Sequence, residues 1–200
     1  MIVNFIPDPG LPIYFGGSRD LPETFFSYIF RFVFAVFRAG CAVTVGDATG
    51  ADAFVISSAL EISSKIRNLQ IFSVARSDGA GFWAGSASRA VMLAAAMRVP
   101  VRWLAGGGFE IPLVARLLRR SLVASQGCQA AVFFLASRDS RGSLKVAADC
   151  VERMPVFAFL LAGGAIVPDP LPGRSGCWIP ARFFDARCWL WEDDQANLFL

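Results

Sequence analysis

The sequence contains no histidine. This absence excludes Ser-His-Asp and Cys-His catalysis and metal sites that depend on histidine ligands. The cysteines, Cys41, Cys128, Cys150, Cys177 and Cys188, are odd in number, lie far apart and form no CxxC pair. We therefore expect no disulfide framework, no zinc or other metal site, and no cofactor.

A hydrophobic run long enough to cross a membrane is also missing, although 55% of the residues are hydrophobic and the mean hydropathy is +0.52. Arg31 interrupts the apolar stretch 25–37, and the stretch 155–167 is shorter than the roughly 18–20 residues of a spanning helix. The first residues, Met1-Ile2-Val3, lack the positive charge that begins a signal peptide. We expect a soluble, cytoplasmic protein with a large core and no membrane partner.

Lysine is scarce, because arginine supplies all but two of the 19 basic residues. Arginine favours planar, bidentate contacts with phosphates and bases. The net charge of +3 is nevertheless too small to indicate nucleic-acid binding by itself.

Short apolar runs alternate with helical patterns along the chain. Near-continuous hydrophobic strands are typical of a parallel sheet that is covered on both faces. The alternation predicts an α/β protein with a Rossmann-like, doubly wound, mostly parallel sheet in a three-layer α/β/α sandwich. The predicted strands are 13–15, 42–45, 69–75, 101–104, 130–135 and 156–161, and the predicted helices are 25–38, 51–63, 87–97, 111–124 and 143–153.

The composition changes near residue 163. Residues 163–180, GGAIVPDPLPGRSGCWIP, are rich in proline and glycine, and tryptophans follow them. We predict one domain over residues 1–162 and a linker with a Trp-rich tail over residues 163–200.

Four polar loops follow predicted strands, at the sheet edge where open parallel sheets bind ligands. They are residues 16–19, residues 46–52, a loop that starts at Arg76, and residues 136–147 with the sequence ASRDSRGSLKVA. The last loop leads directly into a helix. The first-turn amides of that helix have no partner within it, and its dipole favours an anion.

These loops supply the candidate residues for binding a ligand or phosphate. Alternatives remain for each of them, because a loop can serve as a turn alone and Asp52 can cap its helix. Arg120 forms one helix face with Arg116, which can be solvated instead, and Trp83 can stack on a base or pack in the core. The candidates are Gly17, Ser18, Arg19, Gly46, Asp47, Thr49, Gly50, Asp52, Arg76, Arg120, Ser140, Arg141, Gly142 and Ser143.

Four motifs follow one another along the chain: GGSRD at 16–20, VGDATGADA at 45–53, SRGSLKVA at 140–147 and PVFAF at 155–159. Their order resembles that of the SLOG superfamily. This Rossmann-like group contains the LOG phosphoribohydrolases that activate cytokinins, the DNA-processing protein A family and many nucleotide-sensing modules, and the motifs look most similar to its YspA-like branch. The resemblance covers residues 13–160 and implies a nucleotide or nucleotide-derived ligand at the selected loops.

One position departs from the LOG pattern. LOG enzymes carry PGGxGTxxE at the last loop, and its glutamate acts on the N-glycosidic bond. Here Gly142-Ser143 stands at the Gly-Thr position, but Val146 stands in place of the glutamate. Asp47, Asp52 and Asp139 are carboxylates that can replace it, and the sequence selects none of them, so catalytic residues and turnover stay open.

The last residues, DQANLFL at 194–200, resemble the QxxLF-type peptide by which bacterial replication and repair proteins dock on the DNA sliding clamp. Gln195, Leu198 and Phe199 would be the anchors, with the apolar pair in a groove and the glutamine at its edge. The alternative is that Leu198 and Phe199 pack on the domain itself.

Three functions follow from these patterns. We favour a SLOG-type protein that binds a nucleotide-like small molecule and works beside DNA metabolism through the sliding clamp. One alternative is a LOG-like nucleoside-monophosphate phosphoribohydrolase. The other is single-stranded DNA binding like that of DNA-processing protein A, which needs a basic groove with stacking aromatics. A homodimer through the aromatic face of residues 25–37 is a further expectation. The arginines available for a groove are Arg76, Arg116, Arg119, Arg120, Arg138 and Arg141.

Overall fold

The computed structural model describes residues 2–161 and 166–194, without the side chains of residues 63–65. Two short 3-10 helices, Glu23–Phe25 and Ser63–Asn68, accompany the main elements. The helices are α1 (Phe26–Arg38), α2 (Ala51–Glu61), α3 (Ser88–Ala96), α4 (Leu113–Ala124) and α5 (Arg141–Cys150). The strands are β1 (Val3–Phe5), β2 (Pro12–Gly17), β3 (Ala42–Val45), β4 (Leu69–Phe72), β5 (Val101–Arg102), β6 (Ala130–Leu135), β7 (Val156–Leu160), β8 (Gly176–Phe183) and β9 (Ala186–Asp193).

These strands form one sheet in the order β1-β8-β9-β7-β6-β2-β3-β4-β5. The pairings are parallel except for those of β9, which runs antiparallel to both β7 and β8. From β2 the chain moves outward through β3, β4 and β5, and it then returns to place β6 on the other side of β2. The strand order therefore reverses between β2 and β6, which is the point where open α/β sheets bind ligands.

Helices cover both faces of the sheet. Side chains alternate between the faces along β2, so that Ile13 and Phe15 pack in one apolar cluster and Tyr14 packs in the other. The first cluster contains residues of α1, α2 and α3, and the second contains residues of α4 and α5. The prediction of a mostly parallel, Rossmann-like α/β/α sandwich is confirmed.

Helix α1 shows why its sequence folds as it does. Ile29, Val33 and Phe37 recur at helical spacing and are buried, whereas Arg31 is exposed. The helix is followed by Gly40, whose φ of 80° is a left-handed conformation that glycine adopts readily. Among the described residues, every helix is too short or too polar to span a bilayer.

The chain after residue 175 forms two strands, β8 and β9. Strands β8 and β9 form a hairpin that continues the main sheet, because β9 pairs with β7 and β8 pairs with β1. Trp178 and Trp191 pack edge to face, with ring centroids 5.3 Å apart, in the cluster beneath α4 and α5. Strand β8 is hard to predict from the sequence because it contains Pro180, and proline is rare inside a β-ladder. The division of the chain at residue 162 stays a prediction.

Candidate functional site

A cavity of about 480 Å³ opens at the carboxyl ends of β2 and β6. Its walls come from the loop after β2, the loop after β3 with the start of α2, the segment that leads into α5, and helix α4. The structure therefore brings residues of all four predicted loops together at the reversal of strand order, with Trp83 coming from the loop that starts at Arg76. The predicted residues that line the cavity are Gly17, Ser18, Arg19, Asp52, Arg120, Ser140, Arg141, Gly142 and Ser143.

Two serines join the loop after β2 to the start of α5. Ser18 Oγ lies 2.8 Å from Ser140 Oγ and accepts a hydrogen bond of 3.0 Å from the amide of Ala136. Ser140 Oγ donates in turn to the carbonyl of Ser137 at 2.9 Å. These bonds hold the entrance of α5 against the end of β2.

The first turn of α5 is open toward the cavity. Its N-cap residue, Ser140, makes no side-chain hydrogen bond to the helix amides. A Cβ on Gly142 would meet nothing within 4 Å, and Arg141 and Lys145 are exposed beside it. Free amides, the helix dipole and two cationic side chains together form a surface that suits an anion.

Gly50 lets the loops after β2 and β3 touch through their backbones. Its φ of 68° favours glycine, and a Cβ there would lie 2.5 Å from the carbonyl oxygen of Arg19. The next amide, on Ala51, donates to the carbonyl of Ser18 at 3.0 Å. Gly50 therefore shapes the site without lining it.

The floor of the cavity rests on a buried cluster of two carboxylates and one guanidinium. Asp47 is fully buried, and Asp52 and Arg120 are only 4% and 6% exposed. Arg120 Nη1 lies 2.5 Å from Asp47 Oδ1 and 3.5 Å from Asp52 Oδ2. Gly46 leaves room for this contact, because a Cβ there would lie 2.5 Å from Asp52 Oδ2 and would press on the guanidinium. Gly46 and Asp47 thus position Arg120 and do not themselves line the cavity.

The two carboxylates have different partners. Asp47 Oδ2 accepts hydrogen bonds from the Ser73 hydroxyl at 2.6 Å and from the Val74 amide at 3.0 Å. The other oxygen, Asp47 Oδ1, accepts the bond from Arg120. Asp52 Oδ2 accepts one bond of 3.1 Å from the amide of Ala48. Asp52 does not cap α2, which has Gly50 at its N-cap and no side-chain cap bond.

Burial raises the pKa of Asp52 to about 6, although Arg120 and the Ala48 amide act in the opposite direction. Burial alone would lower the pKa of Arg120, but Asp52 and Asp47 outweigh it and raise that pKa, so the guanidinium stays charged. Tyr14 lies close by, and burial together with Asp52 raises its pKa and keeps the phenol neutral. Asp52 can therefore exchange a proton near neutral pH.

Arg116 and Arg120 do not form a solvated helix face. Both side chains are buried, and Arg116 Nη1 donates to the Val74 carbonyl at 3.2 Å. The Arg116 guanidinium also lies 4.9 Å from the ring centroid of Phe109, a cation–π contact. Arg116 therefore binds α4 to the segment after β4, and of these two arginines only Arg120 lines the cavity.

Two further predicted site residues, besides Gly46, Asp47 and Gly50, lie away from the cavity lining. A tight turn, in which the Arg76 amide donates to the Ala80 carbonyl at 2.8 Å, leaves the Arg76 side chain 57% exposed and 3.6 Å from Asp78. The amide of Thr49 donates to the Gly85 carbonyl at 2.9 Å, and its side chain is half-buried outside the cavity. Arg76 and Thr49 therefore do not line this cavity, and their selection as ligand-binding residues stays a prediction.

One apolar wall of the cavity was not predicted from the sequence. Leu113, Leu117 and Arg120 recur at helical spacing on α4, and this periodicity could have placed the leucines beside the arginine. Trp83 also lines the cavity, and its Nε1 has no hydrogen-bond partner among the described residues. The lining residues that were not predicted include Tyr14, Leu113, Val114, Leu117, Leu118, Ser121, Phe133, Lys145 and Val146.

Positive charge outweighs negative charge around the cavity. The cationic lining residues are Arg19, Arg120, Arg141 and Lys145, and the acidic ones are Asp20 and Asp52. The arrangement offers a cationic mouth at α5, an apolar wall at α4 and one buried carboxylate at the floor. It can hold a molecule that has an anionic group and an apolar or aromatic group.

No protein-family model and no curated protein matches the sequence. The fold is similar to a solved structure of DNA processing protein A from Helicobacter pylori, a protein described for its mode of binding single-stranded DNA. The TM-score is 0.55, and the match covers 82% of this chain and 68% of that one at 12% identity. At this identity the likeness shows a shared Rossmann-like fold.

Proposed function

We propose that the protein binds a nucleotide or nucleotide-derived ligand of the SLOG type in the cavity between β2 and β6. The observation that carries the proposal is the meeting of Ser18, Arg19 and the open first turn of α5 at one mouth. Unpaired helix amides with arginines beside them are a phosphate-binding arrangement.

The remainder of the cavity suits a nucleoside. Leu117 and Phe133 offer apolar contact, and Trp83 adds an aromatic surface. A volume of about 480 Å³ falls in the range of small-molecule sites, which is roughly 300–1,000 Å³. The charged mouth would take the phosphate, and the apolar wall would take the base.

A thermal-shift screen at fixed salt tests this function with AMP, NAD, a cyclic nucleotide and a short single-stranded oligonucleotide. A small nucleotide at about 100 times its dissociation constant should stabilise the protein by roughly 2.7 kcal/mol. Arg141→Ala should weaken its binding about tenfold or more, because a charge-assisted contact is lost. Arg76→Ala is the matched control and should bind normally, since Arg76 does not line the cavity. Stabilisation by no small nucleotide would overturn the proposal.

Single-stranded DNA is the second candidate partner, and the fold of DNA processing protein A supports it. Three of the six arginines expected to line a DNA groove have positions that speak against this role. Arg116 and Arg120 are buried, and Arg138 Nε is bound to Asp169 at 2.6 Å. Binding of the oligonucleotide that weakens steeply with salt, without binding of any mononucleotide, would favour DNA.

Phosphoribohydrolase activity has weaker support. Val146 lines the cavity where the LOG pattern has its glutamate, and Asp52 is the buried carboxylate that faces the same space. Time-dependent release of adenine from AMP, lost in Asp52→Asn, would identify this activity. Binding of AMP without release of base agrees with the function that we propose.

Docking on the sliding clamp and formation of a homodimer also remain proposals. The clamp anchors Gln195, Leu198 and Phe199 lie outside the described residues. Phe32 and Phe37 of α1 are buried in the core, whereas Tyr28 and Phe34 are exposed. Light scattering of the full chain, alone and mixed with a bacterial sliding clamp, tests both proposals.

A further inference from the structure

The buried cluster under the cavity has an unbalanced charge. Asp47 and Asp52 share a single guanidinium, that of Arg120, through the same nitrogen. With both carboxylates ionised, the cluster carries one net negative charge. Arg120 Nε has no hydrogen-bond partner among the described residues, so one N–H donor of the guanidinium is unpaired there.

This negative charge would repel an anionic ligand. Asp52 lines the cavity and Asp47 lies beneath it, so an ionised Asp52 carboxylate faces the space that the ligand would enter. Charges interact strongly where water is largely excluded, and a like charge disfavours the ionised form of a carboxyl. Protonation of one carboxyl would leave a neutral Asp47–Arg120 pair or a neutral Asp52–Arg120 pair.

The geometry decides which carboxyl takes the proton. Asp47 accepts bonds from the Ser73 hydroxyl, the Val74 amide and Arg120, and it loses all of this stabilisation of its charge if it is protonated. Asp52 accepts one amide bond and lies 3.5 Å from Arg120. Asp52 is therefore the site of protonation.

We propose that the cavity binds its anionic ligand together with one proton, which is taken up by Asp52. The inference rests on the function proposed above. A proton passes from solvent to an Asp52 carboxylate oxygen as the anion enters, and the Asp47–Arg120 ion pair remains intact. Ligand affinity therefore falls as the pH rises above the range in which free Asp52 is protonated.

The groups that face Asp52 agree with this assignment. Arg120 approaches from α4, Asp47 and the Ala48 amide from the loop after β3, Arg19 from the loop after β2, and Tyr14 from β2. Tyr14 stays neutral, and Arg120 keeps its charge. Burial already raises the pKa of Asp52 to about 6, and an added negative charge nearby would raise it further, which favours the protonated carboxyl.

Calorimetric titration of the full chain with AMP at pH 7.5, in buffers of different ionisation enthalpy, counts the protons that accompany binding. The AMP phosphate can contribute part of a proton, and Asp52→Asn measures that part alone. We expect an uptake close to one proton per AMP in the wild type beyond that of Asp52→Asn. Asp52→Asn should also bind AMP on the order of a hundredfold tighter than the wild type at pH 8, because the wild-type carboxyl, with a pKa of about 6 in the free protein, must take up a proton there on binding.

Two controls keep the test decisive. Asp78→Asn removes an exposed carboxylate outside the cavity and should show the proton uptake of the wild type. If Asp52→Asn does not fold, cyclic AMP replaces it as a control on the wild type, because its phosphodiester does not titrate in this range. AMP binding without proton uptake, or with equal uptake in Asp52→Asn, overturns this inference alone, whereas absence of nucleotide binding between pH 5.5 and 8 overturns the proposed function as well.

Discussion

Asp47 Oδ1 lies 2.5 Å from Arg120 Nη1, which links the loop after β3 to helix α4 across 73 positions of the chain. Both groups are buried, and the other Asp47 oxygen is bound by Ser73 and Val74. This contact sets α4 over the reversal of strand order and gives the cavity its floor. An aspartate two residues after the end of β3 thus supports the site from below.

Removal of Asp47 should destabilise the protein strongly. Asp47→Ala leaves Arg120 buried beside Asp52 with its main partner gone, and loss of one member of a buried pair typically lowers the free energy of unfolding by about 3–5 kcal/mol. Urea denaturation measures this loss. Asp78→Ala breaks the exposed pair with Arg76 and should lower stability by less than about 1 kcal/mol. Equal effects of the two variants would refute a structural role for the buried pair.

Gly46→Ala should deform the floor of the cavity. The new methyl group would press on the Arg120 guanidinium and on Asp52, and we expect a loss of about 1–3 kcal/mol in unfolding free energy with weaker nucleotide binding. Gly142→Ala is the matched control for stability, because its Cβ would meet nothing within 4 Å. Thermal unfolding of both variants checks this prediction, and an unchanged Gly46→Ala protein would contradict the assigned packing.

The stability of the protein should depend on pH through Asp52. The folded protein holds this proton with a pKa of about 6, whereas an unfolded chain holds it with a pKa of about 3.9. Asp52 therefore contributes stability that is fully present below about pH 4 and is lost as the pH rises to about 6. The loss amounts to about 3 kcal/mol at most.

Urea unfolding of the wild type and of Asp52→Asn between pH 4 and 7 measures this contribution. The difference between the two unfolding free energies should move in favour of Asp52→Asn as the pH rises, and it should become constant above about pH 7. A difference that stays constant over the whole range would show that the Asp52 carboxyl has an ordinary pKa in the folded protein.

The β8–β9 hairpin should unfold together with the main sheet. Trp191 is 4% exposed, packs on Trp178 and donates its indole N–H to Asp193 at 2.7 Å. Trp191→Ala should lower the unfolding free energy of the whole protein by about 3–5 kcal/mol. Phe34→Ala, on the exposed side of α1, should change it much less. If Trp191→Ala left the main transition unchanged, residues 163–200 would behave as the separate tail that the sequence suggests.

The core strands could be predicted because their hydrophobic runs are continuous. Residues 42–45 and 130–135 are strands at the predicted bounds, since both faces of a central parallel strand are buried. The hairpin could not be recognised in the same way. In β8, Pro180 and Arg182 interrupt the apolar pattern, and the strand becomes evident only through its pairing with β9 and β1.

The loops of the candidate site could be predicted from local sequence patterns, but the packing beneath them could not. Parallel strands end at one edge, so the loops at Ser18, Asp52 and Arg141 were expected together, and they line one cavity. The sequence did not separate Asp47, which lies beneath the cavity, from Asp52, which faces it. That distinction depends on where α4 packs and on the partners it brings, which no single loop encodes.

The most direct test of the account is a comparison of AMP with adenosine as ligands of the wild type and of Arg141→Ala by calorimetry at fixed pH and salt. If the mouth of the cavity binds phosphate, the wild type should prefer AMP over adenosine by at least about tenfold, and Arg141→Ala should lose most of this preference. Equal binding of AMP and adenosine to the wild type, or a preference for AMP that Arg141→Ala retains in full, would contradict a phosphate site at the start of α5.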